Sequence, residues 1–231
     1  MRIAFLLFPD VTQLDLTGPA QVLCRLGGDS RLDLVAATRD PVATDAGFAI
    51  VPTATFAEVP AAEILCIPGG FGVNGAIADD ATMAWVRAVG AEAQWVTSVC
   101  TGSLVLGAAG LLDGYRAGCH WAQRHMLPLF GATPVAGRVV IDRNRVTGGG
   151  VTAGIDFALK LTAMIRGEAH ARLVQLSLEY DPAPPFDSGS PERADAATLA
   201  AYRRRADRLA PGRDDELRRL AARRGYRAAG G

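Results

Sequence analysis

Three short apolar runs, separated by helix-length stretches, restrict this chain to a small set of folds. The runs lie at residues 2–8, 63–68 and 94–99; the first two are continuous inside, and the third also contains Thr97 and Ser98 before it leads into Cys100. A continuous apolar run of this length is typical of a strand that is buried on both faces of a parallel sheet. We therefore predict an α/β fold in which a mostly parallel sheet is sandwiched by helices.

The remaining pattern completes this α/β prediction and adds a helical C-terminal extension. Further strands are predicted over residues 32–38, 47–52 and 115–119, with a hairpin at 138–142 and 145–147. Helices are predicted over residues 17–25, 79–89, 101–109, 120–130, 152–165 and 169–179. After a proline-rich segment, two Arg-rich helices are predicted over residues 191–209 and 213–224. We divide the chain into an α/β domain, residues 1–191, and an extension, residues 192–231.

Composition and charge exclude several classes of function. Lys and Arg together equal Asp and Glu at 24 each, whereas dedicated nucleic-acid binders show a basic excess. The extension carries 11 Arg against 6 acidic residues, which we interpret as a solvated helical face rather than a nucleic-acid site. No apolar run approaches the roughly 18 residues of a membrane helix, and no cleavable leader follows Met1. We expect a cytoplasmic protein that binds neither nucleic acid nor membrane.

One of the four cysteines stands where a nucleophile is expected. Cys100 follows a predicted strand and precedes a predicted helix, so a sharp turn there would present its sulfur in the crevice above the sheet. The helix N-terminus is expected to lower the pKa of the thiol. A buried, inert cysteine is the alternative. Cys24, Cys66 and Cys119 lack this context and are interpreted as structural.

Other strand ends supply possible partners for Cys100. Asp15 follows the first strand, and apolar surroundings would raise its pKa so that it serves as an acid and base. Gly69 and Gly70 follow the second strand, and their N–H groups, with that of Thr101, form a possible set of oxyanion donors. A plain turn is the alternative at the glycines, and a surface or capping carboxylate at Asp15. His120 and His125 are not expected to act as the catalytic base.

Four motifs in this order resemble the PfpI-type superfamily, which has the class I glutamine amidotransferase-like fold. They are LDLTGP at residues 14–19, IPGG at 67–70, SVCTGS at 98–103 and TGGGVTAG at 147–154. The resemblance covers roughly residues 1–191. Asp15 as the acidic residue and Thr101 after the cysteine resemble the isocyanide hydratase branch, whereas other branches often carry Glu or His there.

The resemblance implies a homodimer without a cofactor or metal, which converts an isocyanide, R–NC, into an N-formamide. It implies that Cys100 attacks the isocyanide carbon to form a thioimidate, with Asp15 as the proton donor and the base that activates water. Thr101 would orient Asp15 or a water molecule. Gly69 and Gly70 would contact substrate, and Phe71, where a smaller residue is expected, would narrow the pocket.

Two other functions are compatible with these motifs. A redox-sensing or stress-response protein of the same superfamily would use Cys100 as an oxidisable thiol. The amidase-like sensor domains of transcription regulators share much of the pattern, but they continue into a DNA-binding domain of about 100 residues. Residues 192–231 lack the apolar positions that such a domain needs.

Overall fold

The computed structural model describes residues 1–226 of the chain, so the last five residues of the predicted extension lie outside the described residues. The strands are β1 (Arg2–Leu6), β2 (Arg31–Ala36), β3 (Val42–Ala43), β4 (Ala49–Ile50), β5 (Ala54–Thr55), β6 (Ile64–Ile67), β7 (Trp95–Val99), β8 (Arg116–Ala117), β9 (Thr133–Pro134), β10 (Val139–Asp142) and β11 (Arg145–Gly148). The helices are α1 (Gln13–Leu23), α2 (Val73–Ala78), α3 (Asp80–Glu92), α4 (Gly102–Ala108), α5 (Ala153–Arg166), α6 (Glu168–Ser177), α7 (Ala196–Leu209) and α8 (Arg213–Arg223). A 3-10 helix covers Arg124–Phe130.

The main sheet has the strand order β10-β11-β7-β6-β1-β2-β5. Its neighbours pair in parallel except at the edge, where β10 and β11 form an antiparallel hairpin. Every residue of β6 is buried, because helices cover both faces of the sheet. Helices α1, α5 and α6 pack together, while α2, α3, α4 and α8 form a second group. The predicted α/β sandwich and the predicted hairpin are confirmed.

Several boundaries differ from the predicted ones. Helix α1 begins at Gln13, four residues before the predicted start at Thr17, so Pro19 lies inside it rather than in its first turn. The predicted strand at residues 115–119 shortens to β8, which pairs with β9 outside the main sheet. The predicted helix at residues 120–130 retains only the 3-10 turn that ends at Phe130. These segments depend on contacts with distant residues, which local sequence patterns do not report.

The C-terminal extension packs on its own chain. Helix α8 contacts α2, and its side chains Leu217, Leu220 and Ala221 join the hydrophobic core. Helix α7, by contrast, contains no buried residue. The two predicted Arg-rich helices both form: α7 is solvated, and α8 is amphipathic with one side buried. No helix within residues 1–226 combines the length and apolar character needed to span a bilayer.

Candidate active site

Cys100 occupies a strained turn between β7 and α4. Its φ of 57° lies in the left-handed region, which residues other than glycine rarely adopt. The Cys100 N–H donates to the Gly148 carbonyl at 3.1 Å, and its carbonyl accepts from the His120 N–H at 3.2 Å. The main chain on both sides of the sulfur is thereby fixed. The structure thus forms the predicted sharp strand-to-helix turn, and such strain is often concentrated at functional sites.

Small residues allow this turn to close. A Cβ atom at Gly102 would press against the carbonyl oxygen of Ile67 and would lie 2.7 Å from that of Pro68, so a larger residue does not fit. The hydroxyls of Ser98 and Ser103 are 2.8 Å apart, and both are buried beneath the turn. Their hydrogen bond ties the end of β7 to the first turn of α4.

The Asp15 carboxyl lies in the first turn of α1 and is fully buried. Its Oδ2 accepts from the Gly69 N–H at 2.9 Å, while no residue within 1–226 bonds to its buried Oδ1. Burial raises the pKa of Asp15 to about 7, although hydrogen bonds from Gly69 and the Cys100 thiol lower it. The predicted raised pKa is confirmed. A carboxyl with a pKa near 7 can both donate and accept a proton under physiological conditions.

The predicted lowered pKa of the Cys100 thiol is wrong for this site. Burial raises the pKa of Cys100 well above its ordinary value, and the Asp15 carboxylate raises it further. Hydrogen bonds from the backbone and side chain of Thr101 act in the opposite direction, but desolvation of a buried thiolate outweighs them. Near neutral pH the Cys100 sulfur therefore keeps its proton, while the Asp15 carboxyl, with a pKa of about 7, exchanges between its protonated and ionised forms.

Thr101, Gly69 and Gly70 support the site through hydrogen bonds of the two glycine N–H groups. The Gly70 N–H donates to the Thr101 hydroxyl oxygen at 3.1 Å, and Gly69 donates to Asp15 as described. Both glycine N–H groups, which the sequence suggested as donors to a ligand, therefore have partners within the protein. Gly70 has a φ of 139°, and a Cβ atom there would lie 2.6 Å from the Thr12 nitrogen, so this position requires glycine.

A cavity of about 630 Å³ lies between the α/β domain and helices α7 and α8; Cys100 and Asp15 do not line it, but its lining residues His120 and Arg213 bond to Cys100 and to Gly70. Five rings line it, from Phe71, His120, Trp121, His125 and Tyr202. The Trp121 and Tyr202 rings are 4.8 Å apart. Phe71 is 44% exposed and therefore stands at the wall of this cavity, where the sequence suggested a substrate contact.

The two histidines near the site differ in their surroundings. Burial and the positive charge of Arg213 lower the pKa of His120 to about 4, so its ring is neutral at physiological pH. The His125 Nε2 lies 2.8 Å from the Asp214 carboxylate. Within residues 1–226 no group of three or more His, Cys, Asp or Glu side chains is arranged to hold a metal ion.

Residues 1–164 match the model of the DJ-1/PfpI family. This chain belongs to the DJ-1/PfpI family. It is 53% identical over 206 residues to the isonitrile hydratase of Pseudomonas putida, covering 89% of this chain and 90% of that protein. The transcriptional regulator GbdR of Pseudomonas aeruginosa is 30% identical over 177 residues, which cover 74% of this chain but 47% of the regulator.

Solved structures agree with this family. A THiJ/PfpI family protein from Pseudomonas syringae is 45% identical to this DJ-1/PfpI protein, with a TM-score of 0.89 over 95% of this chain and 90% of that one. Oxidized DJ-1 of Toxoplasma gondii is 20% identical, with a TM-score of 0.70 over 78% of this chain and 99% of that one. At this identity the likeness shows the shared fold alone. The predicted PfpI-type resemblance is confirmed.

The structure of this DJ-1/PfpI protein also contributes a site residue that sequence reasoning missed. A terminal nitrogen of Arg213, on α8, donates to the Gly70 carbonyl at 2.8 Å. Arg213 is one of 11 arginines in the extension, and no local signal distinguishes it from the others. The turn at Pro211 and Gly212 was the sole hint that this arginine begins a new helix.

Proposed function

We propose that this chain hydrates isocyanides, R–NC, to N-formamides, with Cys100 as the nucleophile and Asp15 as the acid and base. The observation that carries the proposal is the pairing of a thiol held in a strained turn with a buried carboxyl whose pKa is about 7. The name of the Pseudomonas putida relative, isonitrile hydratase, supports this substrate class. The rings of Phe71, Trp121 and Tyr202 give the cavity an aromatic side that can hold the organic group R, while charged residues line the rest of it.

The first half of the reaction joins sulfur to the isocyanide carbon. As the S–C bond forms, the Asp15 carboxylate takes the thiol proton, which compensates for the raised pKa of Cys100. Asp15 then delivers this proton to the same carbon. The product is a thioimidate, R–N=CH–S–Cys100, and Asp15 is again a carboxylate.

The second half adds water and releases the enzyme. Asp15 removes a proton from water as the oxygen bonds to the thioimidate carbon, and it passes this proton to the nitrogen, which leaves Asp15 as a carboxylate and the adduct R–NH–CH(OH)–S–Cys100. The C–S bond then breaks, the hydroxyl proton passes through Asp15 to sulfur, and R–NH–CHO leaves. Thr101 supports these steps by holding the Gly70 main chain beneath Asp15 and the sulfur.

The experiment is to mix the purified protein with alkyl and aryl isocyanides and to follow the N-formamide by mass spectrometry. We expect turnover by the wild type and by C24A, because Cys24 is exposed and far from the Cys100 turn. We expect no turnover by C100A, whose fold is checked by circular dichroism. Turnover by folded C100A would overturn the role of Cys100, and no formamide from any isocyanide with the wild type would overturn the function.

The same samples test the redox-sensing alternative. A sensing thiol reacts quickly with peroxide because it is accessible and ionised, whereas Cys100 is 6% exposed and burial raises the pKa of its thiol. We therefore expect slow oxidation of Cys100 by peroxide, read from the intact mass. Fast oxidation, together with absent formamide, would favour the sensing function.

We also infer that the protein is a cytoplasmic homodimer, as the resemblance to the isocyanide hydratase branch implies. The exposed side chains of Leu173 and Leu176 on α6 support self-association, because they leave apolar surface uncovered in a single chain. Light scattering tests the dimer, and a mass equal to that of one chain would contradict it.

A further inference from the structure

Arg213 reaches the Cys100 turn from the C-terminal extension. Its guanidinium donates to the Gly70 carbonyl at 2.8 Å, and the same nitrogen lies 3.5 Å from the Thr101 hydroxyl oxygen. Gly70 and Thr101, which bond to each other next to Cys100, are therefore both held by Arg213. Arg213 also lines the cavity, so this residue connects the cavity wall to the Cys100 turn.

The first turn of α8 is held so that Arg213 keeps this position. The Asn74 side chain, from α2, donates to the Arg213 carbonyl at 3.0 Å. The next residue, Asp214, accepts from Gln123 at 2.9 Å and lies 2.8 Å from His125. Bonds on both sides of the helix start therefore fix the direction of the arginine side chain, which would otherwise retain many rotamers.

Arg213 places a permanent positive charge beside the thiol. Burial lowers the pKa of its guanidinium, but arginine remains protonated in proteins, and the charges of Cys100 and Cys119 act to raise that pKa. The charged and titratable groups that face Cys100 are Asp15 on α1, Cys119 before the 3-10 helix, Tyr202 on α7 and Arg213 on α8. The nearby His120 is neutral, so Arg213 is the positive charge of this set.

The Nε of Arg213 is buried and bonds to no residue within 1–226. A buried donor without a partner is costly, and the Oδ1 of Asp15 shares this condition. Asn74 and Gln123, which hold the first turn of α8, each contain a further buried oxygen without a partner within residues 1–226, so these polar atoms cluster around Arg213 and its supports.

We propose that Arg213 is a positioning residue of the reaction, which holds Gly70 and Thr101 in place and stabilises negative charge on the Cys100 sulfur. The proposal rests on the proposed function for its effect on turnover, but its effect on the thiol is independent of the substrate. The carboxylate of Asp15 disfavours a thiolate at Cys100, whereas a guanidinium held on Gly70 and on Thr101, the residue next to Cys100, is placed to oppose that effect. The C-terminal extension thus completes the site of the α/β domain.

The first test is the rate at which iodoacetamide alkylates Cys100, measured on the Cys100 peptide by mass spectrometry from pH 6 to 10. In R213Q the thiolate loses its positive neighbour, so we expect alkylation at pH 7.5 to slow about tenfold and the profile to shift to higher pH. The exposed Cys24 reacts in the same sample and should keep its rate. R204Q, which removes an exposed arginine from α7, is the matched control and should behave as the wild type.

Turnover is the second test. R213Q should lower kcat more than tenfold, and R213K, which keeps the charge but not the planar guanidinium, should lie between R213Q and the wild type in both measurements. Wild-type alkylation and turnover in folded R213Q would overturn the proposal. If circular dichroism shows that R213Q is unfolded, wild-type turnover by R213K would overturn it. If the wild type makes no formamide, the proposed function fails, and the alkylation profiles still decide the effect of Arg213 on the thiol.

Discussion

Asp15 is a fully buried carboxyl, and burial makes its charged form unfavourable in the folded protein. Its pKa rises from an ordinary value near 4 to about 7, so the folded state binds the proton more tightly than the unfolded state between these values. As the pH rises through this interval, ionisation of Asp15 favours unfolding. The group that the reaction requires therefore destabilises the fold at neutral pH.

We predict that D15N is more stable than the wild type above pH 7 and loses its turnover at least 100-fold. Asn cannot ionise, so the difference in Tm should grow from pH 4 to pH 7 and then remain constant. Turnover falls because no group remains to move the proton. Thermal unfolding from pH 4 to 9 and formamide production measure the two effects. A lower Tm for D15N at pH 8, or wild-type turnover, would contradict this interpretation.

The turn between β7 and α4 depends on residues close to it in the sequence and on residues far from it in the sequence. The apolar strand and the small residues after it are local features, and they were sufficient to predict a turn at Cys100. The tightness of the turn depends on Ile67 and Pro68, which lie more than 30 positions earlier in the chain and press on Gly102. Because these are backbone atoms, they cannot move aside as a flexible side chain would.

We predict that G102A destabilises the protein by about 1–3 kcal/mol, the usual effect of forcing a methyl group into a packed interior. G75A provides the matched control, because Gly75 lies on α2 with no atom within 4 Å of an added Cβ. That change should be neutral or stabilise by up to about 1 kcal/mol. Urea unfolding measures both, and equal stability of G102A and the wild type would show that the turn is looser than described.

Helix α1 shows where local signals and packing disagree. Proline usually occupies the first turn of a helix, and this preference placed the predicted start at Thr17. The structure begins the helix at Gln13 because α1 packs against α5, where Pro19 fits against Gly154. The difference matters for the site, since the earlier start puts Asp15 in a helical turn that faces Gly69.

At the scale of the whole molecule, the extension and the α/β domain share one core. Leu217 of α8 is fully buried among residues of the α/β domain, and Tyr226 donates to the Gly107 carbonyl of α4 at 3.0 Å. Arg213 can reach the Cys100 turn because these contacts hold α8 in place. Stability of the extension and integrity of the site are therefore coupled.

We predict that L217A lowers the free energy of unfolding by about 2–5 kcal/mol, as expected for a buried leucine. L209A on α7 is the matched control, because Leu209 is 55% exposed and its loss should change stability by less than about 0.5 kcal/mol. Denaturant unfolding should show a single transition in both variants. A separate early transition, or an unchanged stability of L217A, would mean that the extension folds independently of the core.

The sequence by itself determined the α/β class and the position of the Cys100 turn, and it indicated Asp15 as a possible partner of Cys100. Each of these follows from short patterns: a buried strand, small residues, and the meeting of parallel strands at one edge of the sheet. Only the tertiary structure decided that the pKa of the thiol is raised and that Arg213 contacts the Cys100 turn. Burial depends on residues from the whole chain, and Arg213 lies 112 positions from Thr101, so no local pattern contains either result.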